Sequence, residues 1–360
     1  MDENQTFAQR LIDWQRQYGR HDLPWQNTGD AYRVWLSEIM LQQTQVRTAT
    51  PYYERFMARF PTLEALAVAP LETVLELWSG LGYYARARNL HRCAQLVVEQ
   101  YAGRFPEDPE RIAQLPGIGR STAAAIGVFA YGKRAAILDG NVKRVLTRCF
   151  AVDGFPGSAS TAKTLWALAE SLLPAESSVA YTQGLMDLGS VLCTRRKPFC
   201  AVCPMFDLCL ARQQGRQAEL PVAKAKKVLP ERETELLLLT DGQRVLLERR
   251  PPAGIWGGLL TLPEGGVAEA RMFARRHGFR LLGMRAMSAV KHSFTHFHLH
   301  IQTLLCSVET SSVLLAESGW QWLALADIDS AALPAPIKRL LGDARKSLAP
   351  TDSGLLSPEA

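Results

Sequence analysis

LPGIGRSTAAAIGVFA, residues 115–130, decides how the first part of this 360-residue chain folds. Gly117 and Gly119, one residue apart, permit a tight turn between two helices. They also leave bare backbone N–H groups at the start of the second helix, where amides and helix dipole together hold a phosphate oxygen. PERIAQ (109–114) just before it reads as helical, so about 107–131 reads as a helix-hairpin-helix that grips a DNA backbone without reading its sequence. A plain helix–turn–helix connection is the alternative, since short motifs are weak by themselves.

The neighbouring segments share that helical style. FAQRLIDWQRQYG (7–19), AYRVWLSEIMLQQTQV (31–46), PYYERFMARF (51–60), PLETVLELWSG (70–80) and ARARNLHRCAQLVVEQYAG (85–103) repeat apolar residues three and four apart, with Pro or Gly at their ends. NVKRVLTRCF (141–150) and TAKTLWALAESLLP (161–174) continue it, giving an all-α domain over residues 1–220. Ser79-Gly80-Leu81-Gly82-Tyr83 echoes Pro116-Gly117-Ile118-Gly119-Arg120, too briefly to be a repeat. Residues 221–230 lie in a Lys-, Pro- and Ala-rich stretch and read as a linker. Beyond it, ETELLLLTDGQRVLLERR (233–250) reads as two strands joined at Asp241-Gly242. HFHLHIQTLLCSV (296–308) and GWQWLAL (319–325) read as two more, and AEARMFARRHG (268–278) and PAPIKRLLGDARKSL (334–348) as helices. Residues 231–347 therefore form an α+β domain, and 348–360 a disordered tail.

The net charge of +6, from 41 Lys and Arg against 35 Asp and Glu, is spread over both halves with no polybasic tail. It favours an acidic partner, yet affinity for one has to come from placed contacts. No apolar run is long enough to span a bilayer, and MDENQTFAQR lacks a signal-peptide core, so a cytoplasmic, membrane-free location is expected. Four of the seven cysteines crowd together as Cys193-x6-Cys200-x2-Cys203-x5-Cys209. In a reducing compartment such thiols ligate metal. Only one Cys-x2-Cys pair is present, so the spacing leans from zinc towards an iron–sulfur cluster.

Two acids stand out. Glu38 sits inside WLSEIMLQQTQV (35–46), an apolar helical stretch where a carboxylate is unexpected unless it faces the surface with Ser37, Gln42 and Gln43. Asp139 ends the apolar run AAIL just before a helix, one helix after the hairpin; an ordinary N-cap is the competing reading.

EIMLQQTQV (38–46), LWSGLGYYARARNL (77–90), LPGIGRSTA (115–123), LDGNVKRVL (138–146) and the cysteine loop together resemble the endonuclease III-like helix-hairpin-helix DNA glycosylases. Among these the chain is most similar to the MutY-type adenine DNA glycosylases, densely over residues 6–215 and onward through the second domain. The resemblance implies base excision repair: adenine mispaired with 8-oxoguanine or guanine in double-stranded DNA is flipped out and hydrolysed from its sugar. It makes Glu38 the acid that protonates adenine N7, Asp139 the carboxylate that stabilises the cationic sugar, and Asn141 their support. Bifunctional relatives place a Schiff-base lysine where this chain has Ser121, so glycosidic cleavage alone is implied. Arg20, Leu23, Trp25 and Gln183 match the adenine pocket, with structural packing the rival for Trp25. Leu41, Gln43 and Tyr83 match positions that wedge into the stack, while Gly117, Gly119 and Arg144 match backbone contacts. The four cysteines match one 4Fe–4S cluster whose loop, with Arg195-Arg196-Lys197, orders backbone against DNA. No soluble organic cofactor is implied, and a monomer is expected.

The second domain resembles a Nudix fold. GGLLTLPEGGVAEARMFARRHGF (257–279) keeps Glu264 and Glu269, but ARRHG stands where the magnesium-binding glutamate pair would fall, which disfavours nucleotide hydrolysis. KHSFTHFHL (291–299) resembles the family's 8-oxoguanine-recognition loop, with Phe294-Thr295-His296 in place of the usual Phe-Ser-His. His292, His298 and His300 alternate as one sheet face would, a simpler reading than a metal site.

Overall fold

The computed structural model describes residues 3–225, 228–251, 254–310 and 319–348. Lys226 and Lys227 of the expected linker, and residues 349–360 of the expected tail, lie outside the described residues. Contacts divide the chain into two units, 1–74 with 85–226 and 75–84 with 227–360. No helix among the described residues is long and apolar enough to cross a membrane.

The first unit is helical. Its elements are α1 (Glu3–Tyr18), α2 (Ala31–Leu41), α3 (Val46–Arg59), α4 (Leu63–Ala67) and the start of α5 (Leu71–Leu77), which straddles the division. They continue with α6 (Ala85–Tyr101), α7 (Pro109–Ile112), α8 (Arg120–Tyr131), α9 (Gly140–Cys149), α10 (Ala159–Ser171), α11 (Ser178–Asp187) and α12 (Leu210–Gln213). Short polar residues start several of these: Asp30, Thr62, Asp108, Asp139 and Ser158 each accept a first-turn N–H. Leu11, Leu138, Val142, Leu146, Leu165 and Leu188 meet in one buried core. Burial of each such side chain contributes about 1.5–3 kcal/mol. The alanines of α8 let it lie close against α2 and α11, which brings the hairpin's second helix beside the helix of Glu38.

The expected continuous helix over 31–46 is broken. α2 stops at Leu41, Gln43 adopts a left-handed φ of 58°, and α3 starts at Val46. Arg86 supplies the cause. Its guanidinium donates to the carbonyls of Ile39 and Met40, each at 3.1 Å, and to that of Gln42, closing the helix end from another element.

The second unit carries a mixed sheet. Its strands are β1 (Glu231–Thr240), β2 (Arg244–Arg249), β3 (Leu260–Thr261), β4 (Phe279–Ala286), β5 (Val290–Ser293), β6 (His298–Thr310) and β7 (Trp320–Ala324). The order is β3-β2-β1-β6-β4, with β5 also paired to β6 and β7 to β2. β1 and β6 run parallel, and the other pairs are antiparallel. Leu236 and Leu238 face a core shared with α14 (Ala335–Leu348), whereas Leu237 and Leu239 face one shared with α13 (Val267–Arg276). A central strand covered on both faces reads as an unbroken apolar run, as here. The histidine expectation is corrected in part. His298 and His300 share a face, but His292 pairs with Leu299, so it lies on the other.

Candidate active site

One cavity of about 360 Å3 opens in the helical unit. Arg20, Leu23, Trp25 and Gln183, proposed separately from the sequence, all line it, together with Glu38 and Leu41. Trp25 also packs edge-on against Tyr53 with ring centres 5.2 Å apart, so packing and pocket lining coincide in one residue.

Glu38 projects from the third turn of α2, between buried Ser37 and Ile39. Burial, reinforced by the negative charge of Asp139, pushes its carboxyl up to about 8. Asp139 is the N-cap of α9: its Oδ1 accepts from the Val142 N–H at 2.7 Å. The capping reading and the catalytic reading therefore describe the same carboxylate. Burial raises its pKa too, opposed by backbone donors at Val142 and Asn141 and by the Arg144 charge. Those donors favour the ionised form of Asp139, whereas nothing of the kind offsets burial at Glu38. A proton shared between the two belongs on Glu38.

The surroundings fix Asp139. Ser121 Oγ accepts the Leu138 N–H at 2.9 Å, tethering the preceding residue to α8. Asn141 donates Nδ2 to Asp139 Oδ2 at 3.3 Å, and its Oδ1 accepts from Arg144 Nη2 at 2.8 Å. Arg144 is further bonded to the carbonyls of Cys193 at 2.7 Å and Gly189 at 2.6 Å. Its guanidinium is thus engaged inside the domain, holding Asn141. Asp187 is a site residue that sequence reasoning missed. It is fully buried at the end of α11 and bonded to both Arg20 and Gln183. A charged residue in the apolar segment GLMDLG (184–189) was the available signal, the same one that exposed Glu38.

In the hairpin, Gly117 has φ +77°, and a Cβ there would sit 2.9 Å from that of Asn89. Gly119 caps α8 without a side chain and opens on free space, leaving the first-turn amides of α8 accessible to an anion. Tyr83 is half-exposed with φ 50°, a projecting position.

Cys193, Cys200, Cys203 and Cys209 are partly buried and line one small pocket with Arg148. Arg148 is itself buried and points Nη1 at Cys193 Sγ, 3.4 Å away, while bonding the carbonyls of Thr194, Arg195 and Leu220. Among the described residues no compact group of three or more ligating side chains suits a single ion. Cys193 follows a π-helical turn, Leu188–Leu192, whose Gly189 lies so close to Asn141 that a Cβ would approach its Cβ to 2.6 Å.

In the second unit, Phe294-Thr295-His296 forms the turn between β5 and β6. Phe294 stacks on buried Phe297 with centres 4.6 Å apart, while Thr295 and His296 are exposed. Glu264 pairs with Arg250, and Glu269 accepts the Gly266 N–H at 3.0 Å, capping its own helix.

The profile of the HhH-GPD superfamily of base excision DNA repair proteins matches residues 36–171, and that of the NUDIX domain matches 235–343. The chain is 36% identical over 344 residues to an adenine DNA glycosylase of Buchnera aphidicola subsp. Acyrthosiphon pisum, covering 95% of this chain and 98% of that one. It is 32% identical over 400 residues to an adenine DNA glycosylase of Homo sapiens, covering 93% and 73% respectively. A solved thermostable thymine-DNA glycosylase is similar with a TM-score of 0.54 and 31% identity, over 59% of this chain and 97% of that chain.

Proposed function

Because the chain belongs to the adenine DNA glycosylases of the helix-hairpin-helix base excision repair superfamily, we propose that it hydrolyses adenine from mispairs with 8-oxoguanine or guanine. The observation that carries this reading is a glutamic acid held protonated near neutral pH on a base-sized cavity, beside an ionised aspartate.

Neutral adenine is a poor leaving group. Glu38 gives its proton to N7 of the flipped base, so the glycosidic electron pair leaves into a neutral ring system. Asp139 stabilises the positive charge left on the sugar, and Asn141 keeps its carboxylate oriented for that task. Water then adds to the sugar and an abasic site results. Ser121 has no amine to form a Schiff base, so the strand is left uncut. Exposed amides around Gly119 take the backbone phosphates, while Gln43 and Tyr83 fill the stack that adenine leaves. Phe294, Thr295 and His296 read the opposite base.

The four cysteines fit one 4Fe–4S cluster: all line one pocket, and a buried guanidinium faces a sulfur of what would be an anionic centre. Bound there, it supplies a rigid anchor for the loop and no reacting atom. The domain boundaries at 220 and 231, a monomeric state and a cytoplasmic setting complete the reading. Glu264 and Glu269 are engaged with Arg250 and a helix cap, which speaks against nucleotide hydrolysis by the second unit.

The test is single-turnover release of adenine from duplexes with 8-oxoguanine, guanine or thymine opposite. Alkali-labile sites should appear for the first two, and borohydride should trap no covalent adduct. Hydrolysis of an oxidised nucleotide with magnesium, without adenine release, would overturn the proposal.

A further inference from the structure

Asp187 ends α11 with no exposed surface. A buried carboxylate is costly unless its oxygens are satisfied. Here Oδ2 accepts the Arg20 backbone N–H at 2.9 Å. Oδ1 accepts from Arg20 Nε at 2.7 Å and Gln183 Nε2 at 2.9 Å, and lies 2.6 Å from Arg20 Nη2. Arg20 and Gln183 line the cavity, whereas Asp187 is set behind them. Its effect on a bound base passes through those two side chains.

We infer that Asp187 is a positioning residue that makes the cavity select a 6-amino over a 6-oxo purine, by fixing which end of the Gln183 carboxamide faces the base. The inference rests on reading the cavity as the adenine site. An ionised carboxylate only accepts, so Gln183 must turn its NH2 group to Asp187 and its Oε1 to the cavity. An outward acceptor bonds the exocyclic amine of adenine and repels the 6-oxo group of hypoxanthine. The bidentate grip on Arg20 holds the aspartate in place, so the choice is built in before a base arrives.

The experiment measures single-turnover release of adenine and of hypoxanthine, opposite the same partner base, by the full chain. It compares the native protein, Asp187→Asn, and the double variant Gln183→Glu/Asp187→Asn. Asparagine can donate, which frees Gln183 to turn around and offer its NH2 to a 6-oxo group. Glutamate at 183 has no nitrogen to turn outward, so it restores the acceptor and the lost negative charge together. The adenine-to-hypoxanthine rate ratio should fall about tenfold in the single variant, the worth of one directional hydrogen bond, and return in the double variant.

An unchanged ratio in an active single variant overturns the inference, as does a ratio still collapsed in the double variant. Should Asp187→Asn fail to fold, the charge-balanced double variant decides alone, with a native ratio expected. Native protein that releases no adenine overturns the adenine reading and this inference together. A failure confined to the ratio leaves the adenine reading standing.

Discussion

The same side chain is put to opposite uses in the two units. Glu38 lies on an interior cavity with a second carboxylate as neighbour, and its pKa rises to about 8. Glu269 sits in the first turn of α13, where its own and the Gly266 backbone N–H groups hold its carboxyl below the ordinary range. Glu264 is tied to Arg250. A carboxylate that is solvated or capped is a stable anion with little tendency to deliver a proton. One denied water and donors becomes an acid at neutral pH, and the helical unit is where this chain pays that cost.

The sharpest way to break this contrast is Glu38→Gln, which removes the proton and keeps the shape. It should slow single-turnover adenine release by on the order of 10³-fold or more, with duplex binding retained. Asp139→Asn comes next, at about 10²–10³-fold. Asparagine caps helices as well as aspartate does, so the melting temperature should hold; a large drop would mean that Asp139 serves the fold alone.

The pH profile gives a smaller effect with a definite sign. Release should fall as pH rises through about 8, where Glu38 loses its proton. The folded state holds that proton more tightly than the unfolded chain, whose group titrates near 4.5. The stability due to Glu38 is therefore complete below that value and fades as pH rises towards about 8. Melting curves should show Glu38→Gln gaining on the native protein over that window; parallel curves would refute the raised pKa. Phe294→Ala removes the stack on Phe297, of about 1 kcal/mol, and should reduce the preference for 8-oxoguanine over guanine while leaving adenine chemistry intact. Glu269→Ala should change adenine release least of all, lowering only the melting temperature of the second unit.

What was legible in the sequence follows the range of the forces involved. Glu38 was visible because a charge among Leu36, Ile39 and Met40 conflicts with its own helix. The hairpin was visible because backbone sterics dictate its glycines. The end of α2 was not, since the carbonyls of Ile39 and Met40 are taken by Arg86, more than 40 residues away. Asp187 bore the same mark as Glu38, but its meaning depends on Arg20, 167 residues distant. β4 escaped because a bulge between Leu281 and Gly283 breaks its alternation, and β5 because it has four residues.

The π-helical turn Leu188–Leu192 bears on how the gene can change length. Such a turn is an α-helix carrying one residue too many. Deleting one residue there would rewind it and swing all that follows by about 100° about the axis. Gln183 and Asp187 would keep their places, but Cys193 would turn away from its three partners and Gly189 would lose its register against Asn141. A single in-frame codon deletion here should thus be among the most damaging in the chain, while one in residues 221–225 should pass almost unnoticed.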